Sequence, residues 1–142
     1  GNWVDLGSGG GFPAIVLAIL DQDRENRFRF TLVESDIRKA VFLRTAIREL
    51  GLSAEVVSDR IEKIPSLHAS VLSARALADL DTLLGFAERH LDEQGVALFP
   101  KGEQWEKEDE TARQRWSYDC VPTKSITNPS AAVLMIKDIA RV

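Results

Sequence analysis

The sequence predicts an α/β protein in which helices cover both faces of a mostly parallel, seven-stranded sheet, as a three-layer sandwich. Three features of the pattern predict this fold. Strand-like and helix-like segments alternate along most of the chain, which is typical of parallel strands joined by helical crossovers. A glycine-rich turn joins the first strand to the first helix. The last two apolar segments follow each other without a helix, which indicates an antiparallel strand pair at the sheet edge.

The individual elements follow from hydrophobic periodicity and from residues that cap helices. Asp36 and Gly51 have the character of an N-cap and a C-cap, so they mark both ends of one helix. The first helix has no polar face, and we expect an N-terminal helical segment, absent from this sequence, to cover it. The predicted strands are 3–6, 27–34, 54–58, 70–73, 95–102, 116–123 and 131–140, and the predicted helices are 14–20, 36–50, 79–90 and 103–115.

Composition limits the classes of protein to which the chain can belong. Its 142 residues suit one domain, 1–142, and the 44% hydrophobic content is ordinary for a protein with a buried core. No apolar run approaches the ~20 residues of a membrane span, so we expect no membrane association. The single Cys120 excludes an internal disulfide, which suits a cytoplasmic location. The net charge of −4 argues against a surface that binds nucleic acid on every side.

The turn after the first strand indicates a nucleotide-like ligand, because glycines and a helix N-terminus expose backbone N–H groups there. A dinucleotide-binding fingerprint that began at Gly7 would need a glycine at position 12, where the chain has Phe12. The pattern formed by Asp5, Gly7, Gly9 and Gly11 is complete, and it resembles motif I of the class I S-adenosylmethionine (SAM) methyltransferases.

Three charged residues follow predicted strands at the sheet edge where ligands bind. Glu34 ends the second strand, where an acid accepts hydrogen bonds from ribose hydroxyls; a solvated surface glutamate is the alternative. Arg75 follows the fourth strand and Lys101 lies at the tip of the fifth, and both are candidate catalytic residues that contact phosphate or base. The alternatives are a structural ion pair for Arg75 and a plain surface position for Lys101.

The sequence does not contain the residue patterns that nucleophilic catalysis by cysteine or a metal site would need. Cys120 is predicted to lie in a late strand, away from the expected site, and to serve packing. His68 and His90 lack metal-ligand spacing, so we interpret both as surface residues and expect no metal. Methyl transfer to an unprotonated nitrogen such as guanine N7 needs no general base, because that atom has no proton to lose. Alignment of donor and acceptor is then the main requirement.

The chain resembles the RsmG family, also called GidB, from its first residue to its last. This family methylates N7 of a guanine in bacterial 16S ribosomal RNA with SAM. The segments that carry the resemblance are Gly7-Ser8-Gly9-Gly10-Gly11-Phe12-Pro13-Ala14-Ile15, Glu34-Ser35 with Lys39, Phe42-Leu43-Arg44, Arg60-Ile61-Glu62, Ser73-Ala74-Arg75-Ala76 and Pro100-Lys101-Gly102.

The resemblance implies a Rossmann-like class I methyltransferase domain and a role for individual residues. Gly7 and Phe12 would contact SAM at the glycine turn, and Glu34 would face the ribose. Ile61 and Glu62 would border the adenine. Arg75 would lie at the methionine end, near the guanine. The implied partner is 16S ribosomal RNA, within the 30S subunit, and we expect a cytoplasmic monomer.

Two other functions remain open from the residues alone. One is a methyltransferase of the same fold that acts on a small molecule or a protein. The other is a non-catalytic module that binds SAM. Because one fold hosts many functions, fold analogy does not choose among them.

Overall fold

The computed structural model describes residues 1–7, 14–24, 27–74, 78–124 and 130–142, which form one seven-stranded sheet and its helices. The strands are β1 Asn2–Leu6, β2 Arg29–Val33, β3 Ala54–Val57, β4 Ala69–Ala74, β5 Leu91–Lys101, β6 Trp116–Lys124 and β7 Ala132–Arg141. The helices are α1 Ala14–Asp21, α2 Ile37–Leu50, α3 Leu80–His90 and α4 Trp105–Ala112, and a short 3₁₀ turn spans Ile61–Lys63.

The strand order is β3-β2-β1-β4-β5-β7-β6. The first five strands pair in parallel, whereas β7 pairs antiparallel with both β5 and β6. The predicted parallel sheet with a C-terminal antiparallel pair is therefore confirmed. The chain runs from β1 outward to β3 and then returns to place β4 on the other side of β1. The strand order thus reverses beside β1, and a crevice opens at the carboxyl ends of the strands there.

Two apolar cores cover the two faces of the sheet. Leu32 of β2 and Leu43 of α2 belong to the core under α1 and α2, and both are fully buried. Phe99 of β5 and Leu84 of α3 belong to the larger core under α3 and α4. Because successive strand residues point to opposite faces, one strand contributes to both cores: Leu32 of β2 belongs to the first core and Val33 to the second.

Helix α2 has the capped ends that the sequence predicted. One Asp36 side-chain oxygen accepts the backbone N–H groups of Arg38 at 2.9 Å and of Lys39 at 3.1 Å. Gly51 adopts φ 63°, in the left-handed region that favours glycine.

The fifth strand differs from its prediction because it begins at Leu91, directly after α3, and not at position 95. Leu91 pairs with Ala69, and the register then shifts before Val96 pairs with Val71. Residues 92–94 between these two pairs have polar side chains. A strand prediction based on apolar residues therefore missed the backbone pairing at Leu91. The other boundaries move by a few residues, and α4 is shorter than the predicted helix 103–115.

The outer side of α1 is apolar and open within the described part of the chain. Ile19 is 43% exposed and Leu20 is 71% exposed, although Ala14 and Ile15 on the same helix are buried. The predicted N-terminal segment that would cover this helix stays a prediction. Among the described helices, the longest has 14 residues, and none has the length and apolarity needed to cross a membrane.

Replacing Asp36 by alanine tests the N-cap of α2. We expect the free energy of unfolding to fall by about 1 kcal/mol, because two backbone N–H groups lose their acceptor. Urea denaturation measures the change. Asp36→Asn is the matched control and should lose little, because asparagine caps about as well as aspartate. Equal losses in the two variants would contradict the assigned cap.

Candidate active site

A cleft of about 250 Å³ opens at the carboxyl ends of β1, β2 and β3. Leu6, Val33 and Ile61 give it an apolar floor, and Phe86 of α3 adds an aromatic side chain. The polar rim consists of Gly7, Ser35, Asp59, Arg60 and Glu62, and Ala78 closes the side next to β4. An apolar floor with a polar rim suits a planar heterocycle that carries a hydroxylated sugar.

Gly7 lies at the mouth of the cleft, where β1 ends. Its φ of 65° is in the left-handed region, which glycine adopts without the steric cost of a Cβ atom. Its N–H donates to the carbonyl oxygen of Val33 at 2.8 Å, so the turn begins tied to the end of β2. The predicted contacts Gly9, Gly11 and Phe12 lie outside the described residues.

Asp5, the acid of the glycine motif, is 2% exposed and bridges two strands. The hydroxyl of Ser73 donates to its Oδ1 at 2.7 Å, and the indole N–H of Trp3 donates to the Ser73 oxygen at 2.9 Å. Asp5 and Ser73 are register partners in β1 and β4. The structure therefore places Asp5 behind the glycine turn as a link between strands, and a contact with cofactor stays a prediction.

Glu34 lies at the margin of the cleft, between the lining residues Val33 and Ser35. Its side chain is mostly buried, and its Oε2 accepts the N–H of Asp36 at 3.0 Å. Its own N–H donates to the carbonyl oxygen of Val57 at 3.0 Å, which fixes the backbone between β2 and β3. The surface alternative is wrong, because Glu34 is only 7% exposed.

Ile61 and Glu62 reach the cleft on the 3₁₀ turn, as a buried residue and an exposed one respectively. The last turn of α3 holds this segment from behind. His90 is completely buried, its Nε2 lies 3.0 Å from the Ile61 carbonyl oxygen, and its Nδ1 accepts the N–H of Leu67 at 3.2 Å. Arg89 donates twice to the Ile64 carbonyl oxygen, at 2.6 and 3.1 Å.

The prediction that His90 is a surface residue is wrong. His90 follows Arg89 at the end of α3, and the end of a helix is usually solvated. The segment after β3 packs across the His90 side chain, and the periodicity of the sequence around His90 gives no sign of this contact. His68 is exposed, as predicted.

Lys101 is at the end of β5, as predicted, but its side chain is only 7% exposed. Its Nζ donates to the carbonyl oxygen of Ala78 at 2.7 Å and to Oε1 of Glu108 at 2.9 Å. The surface alternative for Lys101 is therefore wrong, and its amine has two acceptors inside the protein. Arg75 lies outside the described residues.

Ala78 and Phe86 line the cleft without having been singled out in the sequence. Phe86 lies on the apolar side of α3, so periodicity marks it only as a core residue. Cys120 is half-buried in β6, where burial raises the pKa of its thiol, and Asp109 raises it further. Within the described ranges, no group of three or more His, Cys, Asp or Glu side chains could hold a metal ion.

Comparison with known proteins identifies similar sequences over nearly the whole chain. The family model GidB, described as rRNA small subunit methyltransferase G, matches residues 1–135. A protein named ribosomal RNA small subunit methyltransferase G from Ruegeria sp. (strain TM1040) is 56% identical over 142 residues, which are 100% of this chain and 69% of that protein. One of the same name from Paracoccus denitrificans (strain Pd 1222) is 50% identical over 137 residues, which are 96% of this chain and 69% of that protein.

Solved structures of low sequence identity share the fold. A mutant of MtNAS in complex with S-adenosylmethionine matches with a TM-score of 0.71 and 17% identity, over 96% of this chain and 54% of that chain. A SAM dependent methyltransferase from Aquifex aeolicus matches with a TM-score of 0.69 and 14% identity, over 95% of this chain and 80% of that chain. Such identities show the fold alone, and they confirm the predicted class I methyltransferase fold.

The buried His90 predicts a loss of stability in mild acid. Burial lowers the pKa of its imidazole, the Arg89 charge lowers it further, and the bond to Ile61 opposes both effects. The folded chain then binds this proton less readily than the unfolded chain. The free energy of unfolding should therefore be fully maintained above the ordinary pKa of 6.5 and fall as the pH drops below it.

Urea denaturation at a series of pH values checks this, with His90→Gln as the variant that cannot take up the proton. We expect the wild-type chain to lose more stability on acidification than this variant does. His68→Gln, at the exposed histidine, is the control and should follow the wild-type profile. Parallel profiles for wild type and His90→Gln would contradict the assignment.

Proposed function

Because the chain belongs to the GidB family, rRNA small subunit methyltransferase G, we propose that it transfers a methyl group from SAM to N7 of a guanine in 16S ribosomal RNA. The observation that carries this proposal is the position of the family's motifs around one cleft. Gly7 follows β1, whereas Ile61 and Glu62 lie on the 3₁₀ turn after β3, and all three line the same cleft at the point where the strand order reverses.

The described cleft residues fit the parts of SAM. Ile61 and Phe86 offer apolar surface for the adenine ring. The Glu34 carboxylate accepts the backbone N–H of Asp36 and lies at the end of β2, where ribose hydroxyls are expected. Gly7 leaves backbone exposed at the mouth of the cleft. By the family motif, we assign further SAM contacts to Gly9, Gly11 and Phe12.

Methyl transfer to N7 requires that the chain position SAM and the guanine, and it requires no general base. SAM supplies a methyl group on a cationic sulfur, which is electrophilic enough to react with a nitrogen lone pair. Guanine N7 has such a lone pair and no proton to lose. The residues of the chain therefore act by orienting both partners in line and by excluding water from the apolar floor of the cleft. We assign Arg75 to the methionine end, near the guanine.

The remaining assignments concern the setting of the reaction. We propose that the chain is one methyltransferase domain, that it acts as a cytoplasmic monomer, and that it recognises the RNA within the 30S subunit. The net charge of −4 supports a particle as the substrate, because the chain has no overall excess of cations for a long phosphate backbone. Shape then supplies part of the recognition.

Calorimetry with SAM tests the cleft. We expect wild-type chain to bind SAM and Glu34→Gln to bind it about tenfold more weakly, because a hydrogen bond to a charged acceptor is replaced by one to a neutral amide. Glutamine still offers an oxygen to the Asp36 amide, so the turn should survive. Glu49→Gln changes the same charge on the exposed far end of α2 and should bind normally. Unchanged affinity in Glu34→Gln would reject the ribose contact, and no binding by wild type would reject the function.

Nucleoside mass spectrometry of small-subunit ribosomal RNA tests the substrate. We expect one 7-methylguanosine to disappear when the gene is removed and to return with the wild-type gene, but not with Gly9→Arg. An arginine side chain at that position would fill the glycine turn. An unchanged nucleoside profile in the deletion strain would reject the RNA substrate, and methyl label in a metabolite or protein fraction would favour the alternative methyltransferase.

A further inference from the structure

Lys101 is an internal cation that joins three parts of the fold. It ends β5, and its Nζ donates to the carbonyl oxygen of Ala78 at 2.7 Å and to Oε1 of Glu108 in α4 at 2.9 Å. The same Glu108 oxygen accepts the N–H of Leu80 at 2.9 Å. Lys101 and Glu108 therefore hold the backbone of the segment 78–80 at both ends.

This segment forms one wall of the cleft. Ala78 lines the cleft, and Leu80 is fully buried at the start of α3. Between them, Asp79 caps α3 by accepting the N–H of Thr82 at 3.0 Å. A shift of the backbone at Ala78 would therefore move the wall of the cleft and the start of α3 together.

Lys101 and Glu108 form an ion pair, and each also forms a hydrogen bond with the backbone of the segment 78–80. The Lys101 side chain is 7% exposed and that of Glu108 is 26% exposed, so water screens the pair less than it would at the surface. Loss of either partner leaves the other with an uncompensated charge in a partly dry site. The amine has a third N–H, but the Lys101 side chain is only 7% exposed, so an RNA phosphate has little access to it.

We propose that Lys101 and Glu108 are positioning residues that set the Ala78 wall of the SAM cleft, and that Lys101 does not contact RNA phosphate. This inference rests on the proposed function, since it concerns the affinity for SAM. The segment that they hold follows β4, the strand whose carboxyl end faces the incoming substrate. Their effect on SAM is therefore transmitted through the backbone of 78–80, without a contact of their own.

The first test measures SAM binding by calorimetry in Lys101→Met and Glu108→Ala. We expect each variant to bind SAM about tenfold more weakly, and the double variant to lose much less than the product of the two effects, because both act on one segment. Glu108→Gln should recover part of the affinity, since its amide oxygen still accepts the N–H of Leu80. Lys107→Met removes a neighbouring exposed cation of α4 and should bind SAM normally.

The second test measures binding to small-subunit RNA at several salt concentrations. A lost phosphate contact lowers the slope of log affinity against log salt by roughly 0.7 to 0.9. We expect the slopes for wild type and Lys101→Met to be equal, whereas their SAM affinities differ. Thermal unfolding of each variant, followed in parallel, separates a specific loss of SAM affinity from general loss of folding.

Three results would overturn the inference. One is a normal SAM affinity in Lys101→Met and Glu108→Ala, even with a lowered melting temperature, because the pair would then serve stability alone. Another is a reduced salt slope in Lys101→Met, which would assign its amine to phosphate. If wild-type chain bound no SAM, the proposed function would fail and the inference with it, whereas equal binding by wild type and the variants rejects only the inference.

Discussion

The position of β1 between β2 and β4 is the constraint on which the site depends. Parallel pairing on both sides brings the carboxyl ends of these strands to one edge, and helices leave that edge in opposite directions. The Ser73 hydroxyl bonded to Asp5 ties β4 to β1 just behind the glycine turn. The crevice at this point follows from the reversal of strand order and requires no additional structural element.

The walls of the cleft are held by side chains that do not line it. Arg89 and His90 fix the segment that carries Ile61, and Lys101 with Glu108 fixes the segment that carries Ala78. In each case a polar side chain bonds backbone groups of an irregular segment, which lacks the regular hydrogen bonds of a strand or helix. Among the described residues, every buried side-chain nitrogen and oxygen has a partner, so this support is complete there.

Rigid walls agree with a reaction that depends on alignment. Guanine N7 has no proton to remove, so the chain needs a held donor and an oriented acceptor more than a titrating group at pH 7. The buried histidine and lysine serve this purpose indirectly: burial lowers the pKa of His90 and so favours its neutral form, and Lys101 lies beside its carboxylate partner. The ring of His90 and the amine of Lys101 each lie within hydrogen-bond distance of a backbone oxygen in a segment that lines the cleft.

The sequence by itself determined the fold class and the order of the elements, because these depend on local periodicity, helix caps and the glycine turn after the first strand. The ends of α2 could be predicted from Asp36 and Gly51. Glu34 could be proposed for the site because it ends a predicted parallel strand, and Ile61 and Glu62 could be proposed because they match the family's motif. Only the tertiary structure decided that His90 is buried, that Phe86 and Ala78 line the cleft, and that Lys101 bonds Ala78 and Glu108. These contacts join residues far apart in the chain, and the packing of whole elements, which no local pattern records, brings them together.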